Sequence, residues 1–269
     1  MKNNKITLLN YFKISIVYIC YAFLSIFVCV IIAEAFNSNV LDFFSIDISQ
    51  LISVILIMRY MHKKFNVTLT SLLNKKNFNK LTLLFIVILT ISSYVVINSA
   101  TTILSNNILI IPHSSSKSYG SIDSLNNICL SIFFISISII SPIIEEILFR
   151  GILLLKLKDD CNQIVALIIS SLIFSILHSV GYGQIGAFFC GLLFGTIALK
   201  TNSILYSILC HITWNSLTTL IVFLNIYNAN ILPMNNGYIH FNLLTQISSS
   251  IIFVIMCFIG FKSKTYIKK

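Results

Sequence analysis

Long apolar runs, separated by short polar segments, dominate the pattern of this chain. Each run is close to the roughly 20 residues that an α-helix needs to cross the hydrocarbon core of a bilayer. The runs lie at residues 11–33, 43–61, 81–104, 127–155, 162–180, 184–199, 203–224 and 242–261. The pattern therefore predicts an all-α, polytopic bundle of about eight transmembrane spans.

Composition supports a membrane protein. Apolar residues make up 57% of the chain and charged residues only 10%, whereas soluble domains carry roughly 25% charged residues. No repeat, linker or long soluble segment interrupts the spans, so residues 1–269 are predicted to form a single integral-membrane domain. The first run is too long for a signal-peptide core and no small-residue cleavage pattern follows it, so we expect it to be retained.

The positions of Lys and Arg predict the orientation of the spans, because these residues prefer short cytoplasmic loops. With eight spans and both termini in the cytoplasm, only Lys117 among the 18 Lys and Arg residues falls outside. The net charge of +10 then reflects topology in a multi-pass protein of the cell membrane and attraction to anionic membrane lipid. The basic residues are scattered over many loops without an aromatic platform, so no nucleic-acid partner is expected.

Three ionisable residues lie inside the fourth span, in the segment SPIIEEILFRG. Glu146 and Arg150 are four residues apart and share one helix face, in the favourable order for an ion pair. Glu145 points about 100° away from Glu146 and lacks that partner. Because acids within a membrane are costly and usually face a bundle interior or a watered cavity, Glu145 is predicted to be functional.

Two further polar pairs lie on later spans. The segment FSILH places Phe174 and His178 on one face of the fifth span, and HITWN places His211 and Asn215 on one face of the seventh. Either histidine alone would suit a packing role. Together with Glu145, the two imidazoles and the carboxamide supply a base, proton carriers and an oxyanion donor.

These segments resemble the CPBP intramembrane proteases, the CAAX-protease and bacteriocin-processing family, which is also called the Abi family. EEILFR, FSILH and HITWN match the family's EExxxR, FxxxH and HxxxN patterns in the right order. The resemblance covers a predicted catalytic core at residues 127–225. It implies a glutamate-dependent endopeptidase that hydrolyses a peptide bond within the membrane.

The resemblance also implies roles for individual residues. The implied catalytic residues are Glu145, His178, His211 and Asn215. The implied supporting residues are Glu146, Arg150 and Phe174. In this scheme Glu145, helped by His178, activates a water, while His211 and Asn215 stabilise the oxyanion of the tetrahedral intermediate.

A metal site is an alternative use of the same residues. Glu145, His178 and His211 could hold zinc with an open fourth position. No HExxH motif is present, however, and the ligands would come from three separate helices. The resemblance points to a metal-free mechanism, so we expect no cofactor and keep zinc as the alternative.

Two other classes of function compete with the enzyme. A non-enzymatic bacteriocin self-immunity or regulatory protein is one, although such a scaffold would not require Glu145. A proton-coupled transporter is the other, but the chain lacks paired, Gly- or Pro-broken inverted spans. The expected substrate is a membrane-associated protein or peptide precursor, and the abundant Ile, Asn, Lys and Ser suggest an AT-rich, bacterial genome. Leader-bearing or signalling peptides are therefore favoured over prenylated CAAX proteins.

The predicted depths of these residues in the membrane disagree when they are calculated from the rise of a helix, 1.5 Å per residue. Glu145 lies roughly 15–20 Å and His211 roughly 12 Å from the cytoplasmic ends of their spans, whereas His178 lies roughly 24 Å from Cys161. Straight, perpendicular helices would not bring the three side chains together. We expect helix tilt, or a fifth helix that begins below the membrane surface.

Overall fold

The computed structural model of the protein is a helical bundle. Apart from isolated positions between residues 13 and 34, the structure describes residues 39–74, 79–107, 131–132, 134–159, 161–178, 182–226, 234–235, 238–239 and 241–262. The first predicted span, residues 11–33, therefore lies mostly outside the described residues.

The helices follow the predicted runs closely. They are α1 (Asn39–Phe65), α2 (Leu69–Leu73), α3 (Lys80–Asn107), α4 (residues 136–157), α5 (Gln163–Ile176), α6 (Tyr182–Thr201), α7 (Leu205–Ile226) and α8 (Leu243–Lys262). A short hairpin precedes α8, in which β1 (Met234–Asn235) pairs antiparallel with β2 (Tyr238–Ile239). Its four residues leave the class unchanged, and the prediction of an all-α membrane bundle is confirmed.

Four of the described helices are long and apolar enough to cross a membrane. They are found at Lys80–Leu104, Gly183–Thr201, Leu205–Leu224 and Leu243–Gly260. None of the most apolar window of α8 is buried within the bundle, as expected for a helix whose surface faces lipid. The full count of eight spans stays a prediction.

Asparagine begins and ends several of these helices. The side chains of Asn79 and Asn162 accept hydrogen bonds from the backbone N–H two residues later, at Leu81 and Ile164, both at 2.8 Å, and so cap the first turns of α3 and α5. Asn66, Asn74 and Asn202 have φ values of 54°, 33° and 49° directly after α1, α2 and α6. Asn tolerates this left-handed conformation better than most residues, so it ends a helix with little strain.

Helix α4 departs from regular α-helical geometry around a proline. Ser136–Ile140 and Ile147–Leu154 are π-helical, and Ser141–Glu146 between them is α-helical. The N–H of Ser141 donates to the carbonyl of Ser136, five residues earlier. In that register the next carbonyl, that of Ile137, would be bonded by residue 142, but Pro142 has no N–H. The Ile137 carbonyl therefore needs a donor from elsewhere.

Two apolar clusters hold the bundle together. One joins α1, α4, α5 and α7 around side chains such as Ile57 and Leu154. The other joins α3, α6, α7 and α8 around side chains such as Phe194 and Tyr206. Helix α4 is almost entirely buried along Ile147–Leu154, so its polar residues lie inside the protein rather than against lipid.

Helix α5 is shorter than its predicted span at 162–180. It ends at Ile176 after 14 residues, a length of about 21 Å against a hydrocarbon core of about 30 Å. His178 follows in the turn beyond the helix. Ending at Ile176 rather than at residue 180 changes the depth of His178 little, so the expected tilt or deeper start of this helix stays a prediction.

Candidate active site

Glu145 lies on α4 with its two carboxylate oxygens in different surroundings. Oε1 accepts a hydrogen bond of 2.9 Å from the hydroxyl of Ser141, one turn earlier. Oε2 is buried and has no hydrogen-bond partner. The Nε2 atoms of His211 and His178 lie 3.8 and 4.0 Å from Oε2. The structure thus brings together three of the four predicted catalytic residues, from α4, α7 and the turn after α5.

The turn after α5 fixes the orientation of His178. Its Nδ1 lies 2.7 Å from the carbonyl oxygen of Phe174, which can only accept a hydrogen bond, so Nδ1 carries the proton. In the neutral ring Nε2 is then the lone-pair nitrogen and faces Glu145. The side chain of His178 is 35% exposed and that of Glu145 14%, so the site is most open beside His178.

Glu146 fixes the orientation of the other imidazole. Its fully buried carboxylate lies 2.8 Å from the guanidinium of Arg150 and 2.9 Å from Nδ1 of His211, and it accepts a hydrogen bond from Ser207. The ion pair expected from the four-residue spacing is present. Nδ1 of His211 donates to this carboxylate, so in a neutral ring Nε2 of His211, like that of His178, is the lone-pair nitrogen that faces Glu145.

Aromatic rings enclose the charged groups. The guanidinium of Arg150 lies 4.3 Å from the ring centre of Phe174 and 5.4 Å from that of Phe194. The ring of Phe194 also lies 4.8 Å from the imidazole of His211. Electrostatic interactions are stronger in such apolar surroundings than in water. Phe174 therefore supports both the arginine and, through its carbonyl, His178.

Asn215 contacts α4 rather than the two histidines. Its Nδ2 donates a hydrogen bond of 3.0 Å to the carbonyl of Ile137. This is the carbonyl that Pro142 cannot bond, so the asparagine side chain replaces a missing backbone donor. A carboxamide has a second N–H, and the predicted oxyanion role would depend on that one.

The structure adds residues that the sequence did not single out. Ser141 holds Glu145, and its hydroxyl also lies 3.4 Å from the side-chain oxygen of Gln50 on α1. Ser207 holds Glu146. Each serine stands four residues before a site residue, Ser141 before Glu145 and Ser207 before His211, a spacing that could have found them. Gln50 carries no comparable signal.

The same distances can be compared with those expected between the ligands of a zinc site. Two ligands bonded to one tetrahedral zinc at about 2.1 Å lie roughly 3.4 Å apart, whereas Glu145 Oε2 stands 3.8 and 4.0 Å from the two imidazole nitrogens. Within the described parts of the chain, no group of three or more His, Cys, Asp and Glu residues could hold a metal ion. These separations are longer than those of a formed zinc centre, and the expectation of a metal-free site stays a prediction.

The fold is a helical membrane bundle, and its interior holds a cluster of glutamate and histidine side chains that is suited to acid–base chemistry. Residues 127–217 match a family model named Rce1-like. The description of that family is type II CAAX prenyl endopeptidase Rce1-like. The match includes all three motifs and confirms the resemblance to the CPBP, or CAAX-protease, family over about a third of the chain. It supports a CAAX-type intramembrane protease, and therefore a hydrolase. No curated protein and no solved structure matches the chain significantly.

Proposed function

We propose that the chain is an intramembrane endopeptidase of the glutamic type, in which Glu145 is the general base. The observation that carries the proposal is the buried oxygen Oε2 of Glu145, which lacks a hydrogen-bond partner and faces the Nε2 atoms of two histidines at 3.8 and 4.0 Å. These gaps exceed a direct hydrogen bond but are within reach of a bridging water.

The protonation of the site favours water as the reactant. Both histidines commit the proton on Nδ1 to other acceptors, so their Nε2 atoms and the carboxylate oxygen are three acceptors facing one another. Three such lone pairs repel unless a proton or a donor stands between them. A water molecule has two protons to donate, and a carboxylate that accepts one of them is placed to act as a base.

The hydrolysis can be written with these groups. Glu145 accepts a proton from water as the water oxygen attacks the carbonyl carbon of the peptide bond. The carboxylic acid, helped by His178, then gives that proton to the departing amine nitrogen, and the C–N bond breaks. The products are a carboxylic acid and an amine, and Glu145 returns to its starting state.

His211 and Asn215 are proposed to bind the developing oxyanion. For His211 this requires a further proton, taken up from solvent before the water attacks, because Nε2 of the neutral ring in the resting site only accepts. The carboxylates of Glu145 and Glu146 and the guanidinium of Arg150 together carry one negative charge, which a protonated His211 would balance. Asn215 would use the N–H that does not contact Ile137, as oxyanion holes commonly use carboxamide donors.

The proposed substrate is a membrane-associated protein or peptide precursor. The family description names CAAX prenyl endopeptidases, which makes prenylated proteins one candidate class. Leader-bearing peptides, including bacteriocin precursors, are the class favoured for this chain. We place the enzyme in the cell membrane as a multi-pass protein.

The first test is Glu145→Gln, in proteoliposomes supplied with a leader-bearing precursor peptide and a farnesylated CAAX peptide. The amide keeps the size of the side chain but removes the base, so cleavage should fall by about 10² to 10⁴. Asp159→Asn, which removes an exposed carboxylate, is the matched control and should keep its activity. Unchanged cleavage by a well-folded Glu145→Gln protein would contradict the proposal and favour a non-enzymatic immunity or regulatory role.

Metal removal is a second test. Because carboxylate and imidazole suffice in the proposed mechanism, the purified protein should keep its cleavage rate through exhaustive chelation, and elemental analysis should find no stoichiometric zinc. A zinc-loaded metalloprotease treated in parallel should lose its activity, which shows that the chelation is complete. Activity that disappears on chelation and returns with zinc would establish the metal alternative.

A further inference from the structure

The hydroxyl of Ser141 bonds forward along α4 instead of back to the backbone. Serine inside a helix commonly donates to a carbonyl three or four residues earlier, as Ser53 does on α1. Ser141 instead donates to Oε1 of Glu145, four residues later. The carbonyl four residues before it, that of Ile137, accepts a hydrogen bond from Asn215. The serine hydroxyl is therefore available to the carboxylate.

Gln50 approaches the same hydroxyl from α1. Three residues that follow it at helical spacing are buried in the apolar cluster that joins α1 to α4, namely Val54, Ile57 and Met61. Gln50 therefore lies on the side of α1 that packs against the bundle. Its side chain is partly buried, and its Oε1 atom lies 3.4 Å from Oγ of Ser141. Helix α1 thus contributes a polar side chain to the edge of the site.

One hydroxyl proton cannot serve both of these acceptors at once. Oε1 of Glu145 is charged and lies 2.9 Å from Oγ of Ser141, whereas the oxygen of Gln50 is neutral and lies 3.4 Å away. The carboxylate therefore takes the proton, and the two remaining oxygens would face each other without a hydrogen between them. A half-turn of the carboxamide removes this repulsion, because it brings an N–H of Gln50 to the position of the oxygen. The hydrogen bonds then run in one direction, from Gln50 through Ser141 to Glu145.

We propose that Gln50 is a positioning residue that acts on Glu145 through Ser141, an inference that rests on the proposed role of Glu145 as the general base. The N–H of Gln50 directs the hydroxyl of Ser141 towards Oε1. That hydrogen bond keeps the carboxylate from turning about its terminal bond, which otherwise rotates broadly. Oε2, which has no hydrogen-bond partner, then stays opposite the two imidazoles, where the water would bind.

The test is a double-substitution cycle, measured as kcat and KM in proteoliposomes with the peptide that the wild-type protein cleaves. Gln50→Met keeps the length of the side chain but cannot donate, so kcat should fall about fivefold, the usual worth of one neutral hydrogen bond, at unchanged KM. Ser141→Ala removes a hydrogen bond to a charged group, so kcat should fall about 10- to 100-fold. The double variant should be no slower than Ser141→Ala alone, because Gln50 then has no hydroxyl to orient.

Conservative variants separate positioning from packing. Ser141→Thr keeps a hydroxyl one turn before Glu145 and should retain most of the activity. Ser53→Ala removes a buried hydroxyl that donates to the carbonyl of Ser49 on α1, and it should leave kcat unchanged. Thermal melts show whether each variant is folded. Ser141→Cys, whose thiol is a weak donor, replaces Ser141→Ala if the alanine variant does not fold.

Three results would overturn the inference. Losses that multiply in the double variant would show that Gln50 acts independently of Ser141. A raised KM at unchanged kcat in Gln50→Met would make Gln50 a substrate contact, and full activity of that variant would leave it without a role. Glu145→Gln in the same assay separates the two proposals. If cleavage survives Glu145→Gln, the proposed function fails and this inference with it; if cleavage is lost and one of the three results appears, only this inference is wrong.

Discussion

Glu146 does more than form an ion pair within its own helix. Its carboxylate contacts Arg150 on its own helix and also His211 and Ser207 on α7. The side chain therefore connects the helix that carries Glu145 to the imidazole that faces Glu145. We infer that Glu146 is a positioning residue, because it holds the tautomer and orientation of His211.

A double substitution separates this positioning role from the stability of the ion pair. Glu146→Gln alone leaves Arg150 buried without a counter-charge, which should cost about 3–5 kcal/mol of stability. Glu146→Gln combined with Arg150→Met removes both charges and fills the space between the phenylalanine rings, so much of the melting temperature should return. Cleavage should stay depressed, because His211 still lacks its carboxylate; in catalytic triads that carboxylate contributes up to about 10⁴.

The measurements are thermal melts and single-turnover cleavage of the same preparations. Arg150→Met alone leaves the carboxylate in place beside His211 and serves as the companion variant. If the double variant regains both stability and cleavage, Glu146 has only a structural role and the inference about His211 is wrong.

Local spacing predicted some contacts of the site and could not predict others. The pair Glu146–Arg150 follows from four residues on one helix, because helix geometry alone brings such side chains together. The contact between Glu146 and His211 depends on how α4 packs against α7, and no spacing encodes that. For the same reason the sequence suggested that Glu146 only supports its helix, whereas it also orients an imidazole. The catalytic roles themselves stay predictions.

At the scale of the helix, proline and asparagine have a joint effect that no motif revealed. Pro142 removes one N–H from α4, and Asn215 of α7 supplies the missing donor to Ile137. The HxxxN spacing therefore carries a packing role in addition to the predicted oxyanion role. The spans were predictable because apolar length encodes them, but the π-helical turns and the early end of α5 depend on individual hydrogen bonds.

Small residues on α6 set its distance from α5. A Cβ on Gly191 would lie 2.9 Å from Cβ and 3.0 Å from Cα of Ser171, so the two helices would have to separate. The carbonyl of Gly191 also accepts a hydrogen bond of 3.4 Å from Arg150. A Cβ on Gly186 of the same helix would lie 3.6 Å from Thr101, an ordinary contact.

These two glycines form a matched pair for a test of packing. Gly191→Ala should lower stability by about 1–3 kcal/mol, the usual cost of an overpacked interface, and should reduce cleavage by displacing Arg150. Gly186→Ala should be neutral or slightly stabilising, since alanine favours a helix more than glycine does. The check is the melting temperature of both variants in one detergent. Equal melting temperatures would show that α5 and α6 separate without cost, against the packing role.

At the scale of the whole molecule, the segments predicted to be cytoplasmic meet at one end of the bundle. The N–H of Ile204, before α7, donates to the carbonyl of Leu72 on α2 at 3.1 Å. Lys158, after α4, contacts the side chain of Asn202 at 2.5 Å. The folded chain thus groups loops that the distribution of Lys and Arg had assigned to one side of the membrane.

This grouping makes the orientation testable with two single cysteines. In a chain whose own cysteines are replaced, Asp159→Cys lies at the basic end and is exposed. Leu243→Cys, 71% exposed, lies at the opposite end of α8 from Lys262. Since Lys and Arg favour the cytoplasmic side, a membrane-impermeant maleimide should label Leu243→Cys in intact cells, and Asp159→Cys only after permeabilisation. The reverse pattern would invert the predicted orientation.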